Sequence, residues 1–495
     1  MSEARVVADR AAAGVVADLG RTVRAPGTWL GFFGALITAV AMFAPSLMPP
    51  HLPLRELPVP AALDPYLPAP LAAALILAGL VCLLLAWWLL RPPDFDAAGE
   101  ASPLSRAAVR ASMGPAGQGV TAWMVVVLWS LPFLLAPPAY STDAYLYADL
   151  GWIQHRGLNP YEAGMATAGG PSVEWVAPAW RGATSPYAPL SLVTHHLMAA
   201  LAGFDPYWGA IANRIPAIAG TALVVIFVPK LAVRLGADPV RASWLGVINP
   251  MVVVHCVGGA HNDAMMIGVL ILALWVAAGP PRYLWLAAAL VGLATAFKQP
   301  AVFGGLAVGL LAVRPRNPQE RSWRLLVRRA AGSLGLSALI GGAVFVAITW
   351  ATGLGWGWTG ALSLPGSNAS WAPRFLLTEA GSWVAHIMGE ARWPVATAVS
   401  LISAVVFLAL FVVAIKRYLP SQPVAFLGWT LAAFVLTGVM IHGWYLVWPV
   451  AILAASGAGR RAARGVFAFS LFSLVYLVIA EYIWVGLVGA APPIG

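Results

Sequence analysis

The sequence predicts an all-α polytopic membrane protein with about thirteen transmembrane helices and further interfacial helices in its outer loops. Three observations lead there. The chain is 60% hydrophobic, with a mean hydropathy of +0.80, and only 10% of it is charged; soluble domains are charged at roughly one residue in four. Apolar runs of roughly 17–25 residues, the length a bilayer span requires, recur from end to end. Basic residues fall between those runs.

Taken in order, the apolar segments are 28–48, 68–90, 120–138, 208–229, 240–257, 262–279, 282–297, 299–313, 330–352, 394–415, 422–440, 444–458 and 465–488. The first follows a tail, 1–27, in which Arg5, Arg10, Arg21 and Arg24 alternate with acids. No apolar core followed by a small-residue cleavage site begins there, so the tail reads as cytoplasmic and not as a secretory signal. Residues 91–119 are polar, rich in Pro and Gly, and loop-like. The remaining basic clusters are 230–241, 314–329 with six arginines, Lys416–Arg417 and 460–464. Cytoplasmic loops of membrane proteins carry an excess of Lys and Arg. Thirteen crossings from a cytoplasmic N-terminus put every basic cluster inside, provided that 187–203 does not cross. That stretch is short and carries His195 and His196, so a non-crossing or re-entrant element is expected.

The net charge of +10 is compatible with nucleic acid in principle. Its placement between apolar runs points to topology and anionic lipid headgroups instead. Cys82 and Cys256 both lie in apolar segments and read as packed hydrophobes, not as a disulfide framework. Neither a P-loop nor a GxGxxG in a strand–helix context occurs, no Cys/His cluster has zinc spacing, and no GxSxG elbow is found. No cofactor and no metal are therefore expected.

The same parity gathers the unusual polar residues on the outer side. Ser141 or Thr142 caps a helix that starts at Asp143, carries Asp149, and stops at Gly157. Its mixed apolar and aromatic residues suit a helix lying along the interface. Asp143 alone fits a helix-start acid favoured by the macrodipole. Asp263 opens a second helix after the break at Gly258–Gly259 and the polar pair His261–Asn262. A capping role fits each of these residues singly, whereas two acids at membrane depth on one side indicate a site. Lys298, the only lysine within an apolar segment, precedes the helix-breaking Pro300; it reads as a phosphate-binding cation over a snorkelling one. In 441–449 an aromatic belt accounts for Trp444, Tyr445 and Trp448 but not for His442. The outer loops add Tyr161, Trp175, Trp180, Tyr187, Trp356, Trp358 and Trp371, suited either to stacking on sugar faces or to interface anchoring, with Arg181 and Arg374. Glu481, in the last apolar segment, fits a buried pair or a polar pathway equally.

In order, the motifs STDAYLYADLG (141–151), RGLNPY (156–161), SPYAPL (185–190), GGAHNDAMMIG (258–268) and HGWYLVWP (442–449) resemble the actinobacterial polyprenyl-phosphate-mannose-dependent α-1,6-mannosyltransferases. These are integral-membrane enzymes of the GT-C glycosyltransferase fold, and the likeness covers roughly residues 120–460. The resemblance implies a single GT-C transmembrane domain, 28–490, capped by the outer loops 139–207 and 353–392. It also implies transfer of mannose, with inversion, from polyprenyl-phosphate-mannose to a lipid-anchored mannan or lipomannan acceptor at the outer face of the cytoplasmic membrane. Asp143 matches the position of the catalytic acid in the first large outer loop. Asp149, His261, Asn262, Asp263, Lys298, His442, Tyr187 and Trp444 are the substrate-binding candidates. Asp149 is also the rival base, on a different helix face because of its offset of six. Asp263 takes the place of a second acid that binds metal or orients substrate in some GT-C enzymes; without a full ligand set, no obligatory metal is expected. The expected partners are the lipid donor, the acceptor and membrane lipids. Two other readings are a flippase or transporter of a lipid-linked sugar and a GT-C enzyme for another sugar. Polar residues confined to one face disfavour the flippase, which needs them at matching depth in both halves. A non-catalytic scaffold leaves the broken helices at 258–263 and 298–300 without a purpose.

Overall fold

The computed structural model describes residues 19–44, 62, 64–92, 115–116, 120–176, 178–313, 323–363, 372–389, 391–457 and 459–478. Trp371, Glu481, the far N-terminal arginines, most of 91–119, residues 314–322 and the end of the last apolar segment lie outside them. The architecture is a helix bundle; its one ladder among the described residues pairs Pro115–Ala116 with Val120–Thr121.

The longer helices among the described residues, in chain order, are α1 (Pro26–Ala41), α2 (Ala69–Leu89), α3 (Ala122–Ser130), α4 (Asp143–His155), α5 (Pro189–Leu201) and α6 (Arg214–Arg234). They continue with α7 (Pro239–Gly246), α8 (Asp263–Ala277), α9 (Leu284–Phe297), α10 (Gly304–Leu311), α11 (Trp323–Ala351) and α12 (Pro373–Ile387). The last are α13 (Arg392–Tyr418), α14 (Pro423–Thr437), α15 (Gly443–Ala455) and α16 (Arg460–Val478). Each expected apolar segment is helical over most of its described length. Among the described residues, four helices are long and apolar enough to cross a bilayer unbroken, or five if a bent pair is one span. Proline and glycine breaks keep the others short: α3 gives way to a 3-10 turn at Leu131–Phe133, and α9 to another at Gln299–Phe303. The stretch 187–203 forms the 13-residue α5, about 20 Å long at 1.5 Å per residue, against a hydrocarbon core of about 30 Å.

One hydrophobic core runs from α1 to α16. Small residues let backbones approach, as is usual where lipid removes the hydrophobic drive between helices. A Cβ on Gly220 would lie 2.2 Å from the Ala264 carbonyl carbon, and one on Gly268 2.4 Å from the Gly220 oxygen. Gly220 meets Ala264 while Leu223, further along α6, meets Gly268, so α6 runs parallel to α8. Arg214 therefore sits near the start of α8, while Arg234 at the far end stacks 3.6 Å over Trp275 and bonds its carbonyl. α9 returns from Arg282 to Lys298. α15 runs from His442 to Gly457, where an added Cβ would lie 3.0 Å from Ala237. Trp87 and Trp244 exchange indole-to-carbonyl hydrogen bonds of 2.8 Å and join α2 to α7. The bundle thus has two unlike ends, one carrying Arg234 and Arg282 and the other Asp143, Asp263, the buried histidines and Lys298.

A second, smaller core lies at the acidic end, formed by α4 and the loop beyond it with Tyr161, Met165 and Val176. This changes the expectation for α4. Ten of its thirteen residues are buried, so it is covered by protein instead of lying open along the interface. α5 is the reason: Gln154 Nε2 donates to the Leu192 carbonyl at 2.8 Å, and Gly151 packs against Ala199.

Candidate active site

Helix α4 begins where expected. Ser141 Oγ accepts the Asp143 N–H at 3.1 Å, and Gly157 ends the turn at φ 72°. Asp143 is 7% exposed. Its Oδ2 lies 3.4 Å from the Tyr147 hydroxyl, 3.5 Å from the Tyr187 hydroxyl and 3.5 Å from His261 Nδ1. These contacts are long for hydrogen bonds to a carboxylate. Burial pushes the Asp143 carboxyl up to about 6, against the opposing pull of Lys298.

The Tyr147 hydroxyl also lies 3.4 Å from Asn262 Oδ1 and 3.5 Å from His261 Nδ1. Asn262 Nδ2 donates to Ser191 Oγ at 3.1 Å, and Ser191 donates to the Phe297 carbonyl at 2.7 Å. One polar path therefore links α4, the start of α8, α5 and the residue before Lys298. Gln299 closes it from the other side by donating to the Pro186 carbonyl at 3.0 Å, beside Tyr187.

Lys298 is held tightly. Its Nζ donates to both Asp263 oxygens at 2.8 Å, and Trp448 Nε1 donates to Asp263 Oδ1 at 2.7 Å. The ammonium also sits 4.6 Å over Tyr445, 5.3 Å from the Trp448 ring and 5.7 Å from Tyr187. A buried charge needs such compensation. The expected phosphate cation is thus paired in this structure. An ammonium has three donors, of which Asp263 engages two. The Trp444 ring stacks with His261 at 3.8 Å and with His442 at 4.4 Å, which accounts for a histidine inside the aromatic belt.

Asp149 goes elsewhere. Its Oδ1 accepts the Ser172 N–H at 2.8 Å, and the carboxylate fills the space beside Gly170. Burial pushes it up to about 7. It ties the 164–176 loop to α4 and shares no partner with Asp143, in keeping with its different helix face. Most of the outer aromatics pack on one another: Tyr145 meets Trp175 edge-on, and Phe345 meets both Trp356 and Trp358. Arg181 binds the carbonyls of Glu174 and Val176, and Arg374 binds Ser400 Oγ. Among the described residues, no three His, Cys, Asp or Glu side chains converge as a metal site.

Three contributors were not singled out from the sequence. Tyr147 lies four residues after Asp143, hence on the same face of α4, a signal that was available. Ser191 carried none. Arg214, an arginine inside an apolar run, did: such residues are rarely idle.

Fold and site together define a polytopic helical membrane protein with a buried acid, cation and histidine cluster at one end of its bundle. A family model described as "Alpha-(1->6)-mannopyranosyltransferase, N-terminal domain" matches residues 28–314, and one described as "MptB C-terminal domain" matches 377–481. The chain belongs to the alpha-(1->6)-mannopyranosyltransferase family and is a glycosyltransferase. It is 30% identical over 415 residues to a probable alpha-(1->6)-mannopyranosyltransferase of Mycolicibacterium smegmatis, covering 73% of this chain and 72% of that one. It is 28% identical over 358 residues to alpha-(1->6)-mannopyranosyltransferase A of Mycobacterium tuberculosis (70% and 68% covered). With alpha-(1->6)-mannopyranosyltransferase B of Corynebacterium glutamicum it shares 24% over 429 residues (81% and 68%). No solved structure matches the chain.

Proposed function

We propose that this chain transfers mannose from polyprenyl-phosphate-mannose to a lipid-anchored mannan or lipomannan acceptor, forming an α-1,6 bond with inversion at the outer face of the cytoplasmic membrane. The names of its relatives support the sugar and the linkage. The observation that carries the mechanism is a buried carboxylate, Asp143, with long contacts to one oxygen only, in one polar network with the residues around Lys298. Asp143 takes the acceptor hydroxyl proton as that oxygen attacks the anomeric carbon. The bond from that carbon to the phosphate oxygen breaks, and its electron pair leaves with the phosphate. A single displacement of this kind inverts the anomeric centre. Lys298 offsets the growing phosphate charge, with Asp263 and Trp448 fixing its position and His442 nearby. Tyr187, His261 and Asn262 orient the acid and the bound sugar.

The orientation rests on charge. Arg234 and Arg282 mark one end of the bundle and the candidate site the other, so the positive-inside rule puts the site outside. The buried acids, histidines and Lys298 gather at one end, which disfavours a pathway open to both sides. The test is mannosyl transfer by the purified protein from polyprenyl-phosphate-mannose, native against Asp143→Asn, with donor binding measured in parallel. Loss of transfer with retained donor binding is expected. Near-native turnover of Asp143→Asn removes Asp143 as the base, and an inactive native protein removes the donor assignment.

A further inference from the structure

Arg214 is buried, at 2% exposure, and among the described residues no carboxylate pairs with it. Its guanidinium binds three backbone carbonyls instead. Nε donates to Val257 at 3.1 Å, Nη2 to Gly258 at 3.0 Å, and Nη1 to Leu134 at 3.1 Å. These oxygens belong to the last turns of two helical stretches, π-helical Val252–Gly258 and the 3-10 end of α3. Carbonyls at a helix end are unsatisfied within the helix and carry its negative partial charge. An arginine there satisfies both ends at once and is itself stabilised without an acid.

Beyond both ends the backbone is strained. Ala139 N–H donates to the Gly258 oxygen at 3.0 Å, joining the two ends directly. Tyr140 then adopts φ 62°, and beyond Gly258 the residue Ala260 adopts φ 56°. Left-handed backbone is costly for residues with a Cβ and persists only where the surroundings impose it. The first strained turn is followed within three residues by Asp143. The second leads straight into His261, Asn262 and Asp263, after a bend of 118° between Val252–Gly258 and α8.

We infer that Arg214 is the positioning residue of the active site: by clamping the Leu134, Val257 and Gly258 carbonyls it sets the distance between Asp143 on one strained turn and the His261–Asp263 segment on the other. The guanidinium fork reaches three acceptors in fixed geometry, which an ammonium does not reproduce. The inference rests on the proposed role of Asp143. A misplacement of about 1 Å at a reacting group costs on the order of a hundredfold in rate.

Arg214→Lys and Arg214→Gln are compared with the native protein in detergent, measuring folding by size exclusion and thermal melting, donor affinity with polyprenyl-phosphate-mannose, and turnover against pH. Expected for a folded variant is a turnover loss of roughly ten- to a hundredfold, with donor affinity within about threefold and Lys less impaired than Gln. The low-pH limb should also move below its native position as water reaches a loosened Asp143. A folded variant with turnover within twofold of native overturns the inference. So does a loss of affinity parallel to the loss of rate, or an unmoved limb. If neither variant folds, Arg214 serves folding alone and the inference falls. A native protein that transfers no mannose is a separate failure, of the proposed reaction.

Discussion

The two acids of the site are held in opposite ways. Asp263 receives three hydrogen bonds of 2.7–2.8 Å from Lys298 and Trp448. Asp143 has only contacts of 3.4–3.5 Å, all to one oxygen. A carboxylate with short charge-assisted bonds is committed to structure. One that is buried, loosely held and raised in pKa is suited to taking a proton. Two aspartates, each opening a helix and each preceded by two polar residues, thus take different work from their partners and not from their local sequence.

Five experiments would break or sharpen that contrast. The largest effect is expected for Asp143→Asn, with turnover falling roughly 10²–10⁴-fold, the usual worth of a general base, while the melting temperature stays near native. A folded variant with turnover within tenfold of native would mean the loosely held acid is not the base. Next comes the Asp263–Lys298 pair. Lys298→Met alone leaves a buried carboxylate without its cation and should cost about 3–5 kcal/mol of stability, read as an earlier unfolding transition in detergent. Joining it with Asp263→Asn should recover part of that loss, because the two positions couple; additive losses would argue against a structural pair.

The pH profile separates the acids further. Asp143 must be deprotonated to accept a proton, and burial pushes its carboxyl up to about 6. Turnover should therefore rise with pH through that value, well above the usual carboxylate range. A limb near 4 would show that the working acid is an exposed one. In Tyr187→Phe, the loss of one weak donor to Asp143 should move the limb slightly upward and slow turnover by roughly two- to tenfold, as expected for about 0.5–1.5 kcal/mol. The smallest effect is expected for Asp149→Asn. It loosens the loop at Ser172 by about 1 kcal/mol and leaves the limb in place; a limb that disappears would make Asp149 the base.

Much of this was legible in the sequence. Hydropathy and the separation of basic residues from apolar runs gave the helices, and the charge asymmetry anticipated the two unlike ends of the bundle. Helix starts at Asp143 and Asp263 and the break at Pro300 were readable because polar residues and proline sterics act within a few residues, although the Thr142 and Asn262 side chains at the N-cap positions make no cap hydrogen bond. The glycine break at 258–259 was also visible, though the left-handed residue proved to be Ala260 and not a glycine. Partnerships were not legible. Tyr147 and His261 are 114 residues apart, and Trp448 and Asp263 are 185 apart, so no local pattern links them. That Lys298 is paired, that Asp149 serves a loop, that α4 is covered by α5, and that Arg214 binds three carbonyls all depend on which helices pack together. Local sequence determined where helices begin, end and meet lipid, because those choices turn on nearby side chains and transfer energies. Only the tertiary structure decided which acid is held tightly and which is left able to react, because that depends on donors brought together from helices distant in the chain.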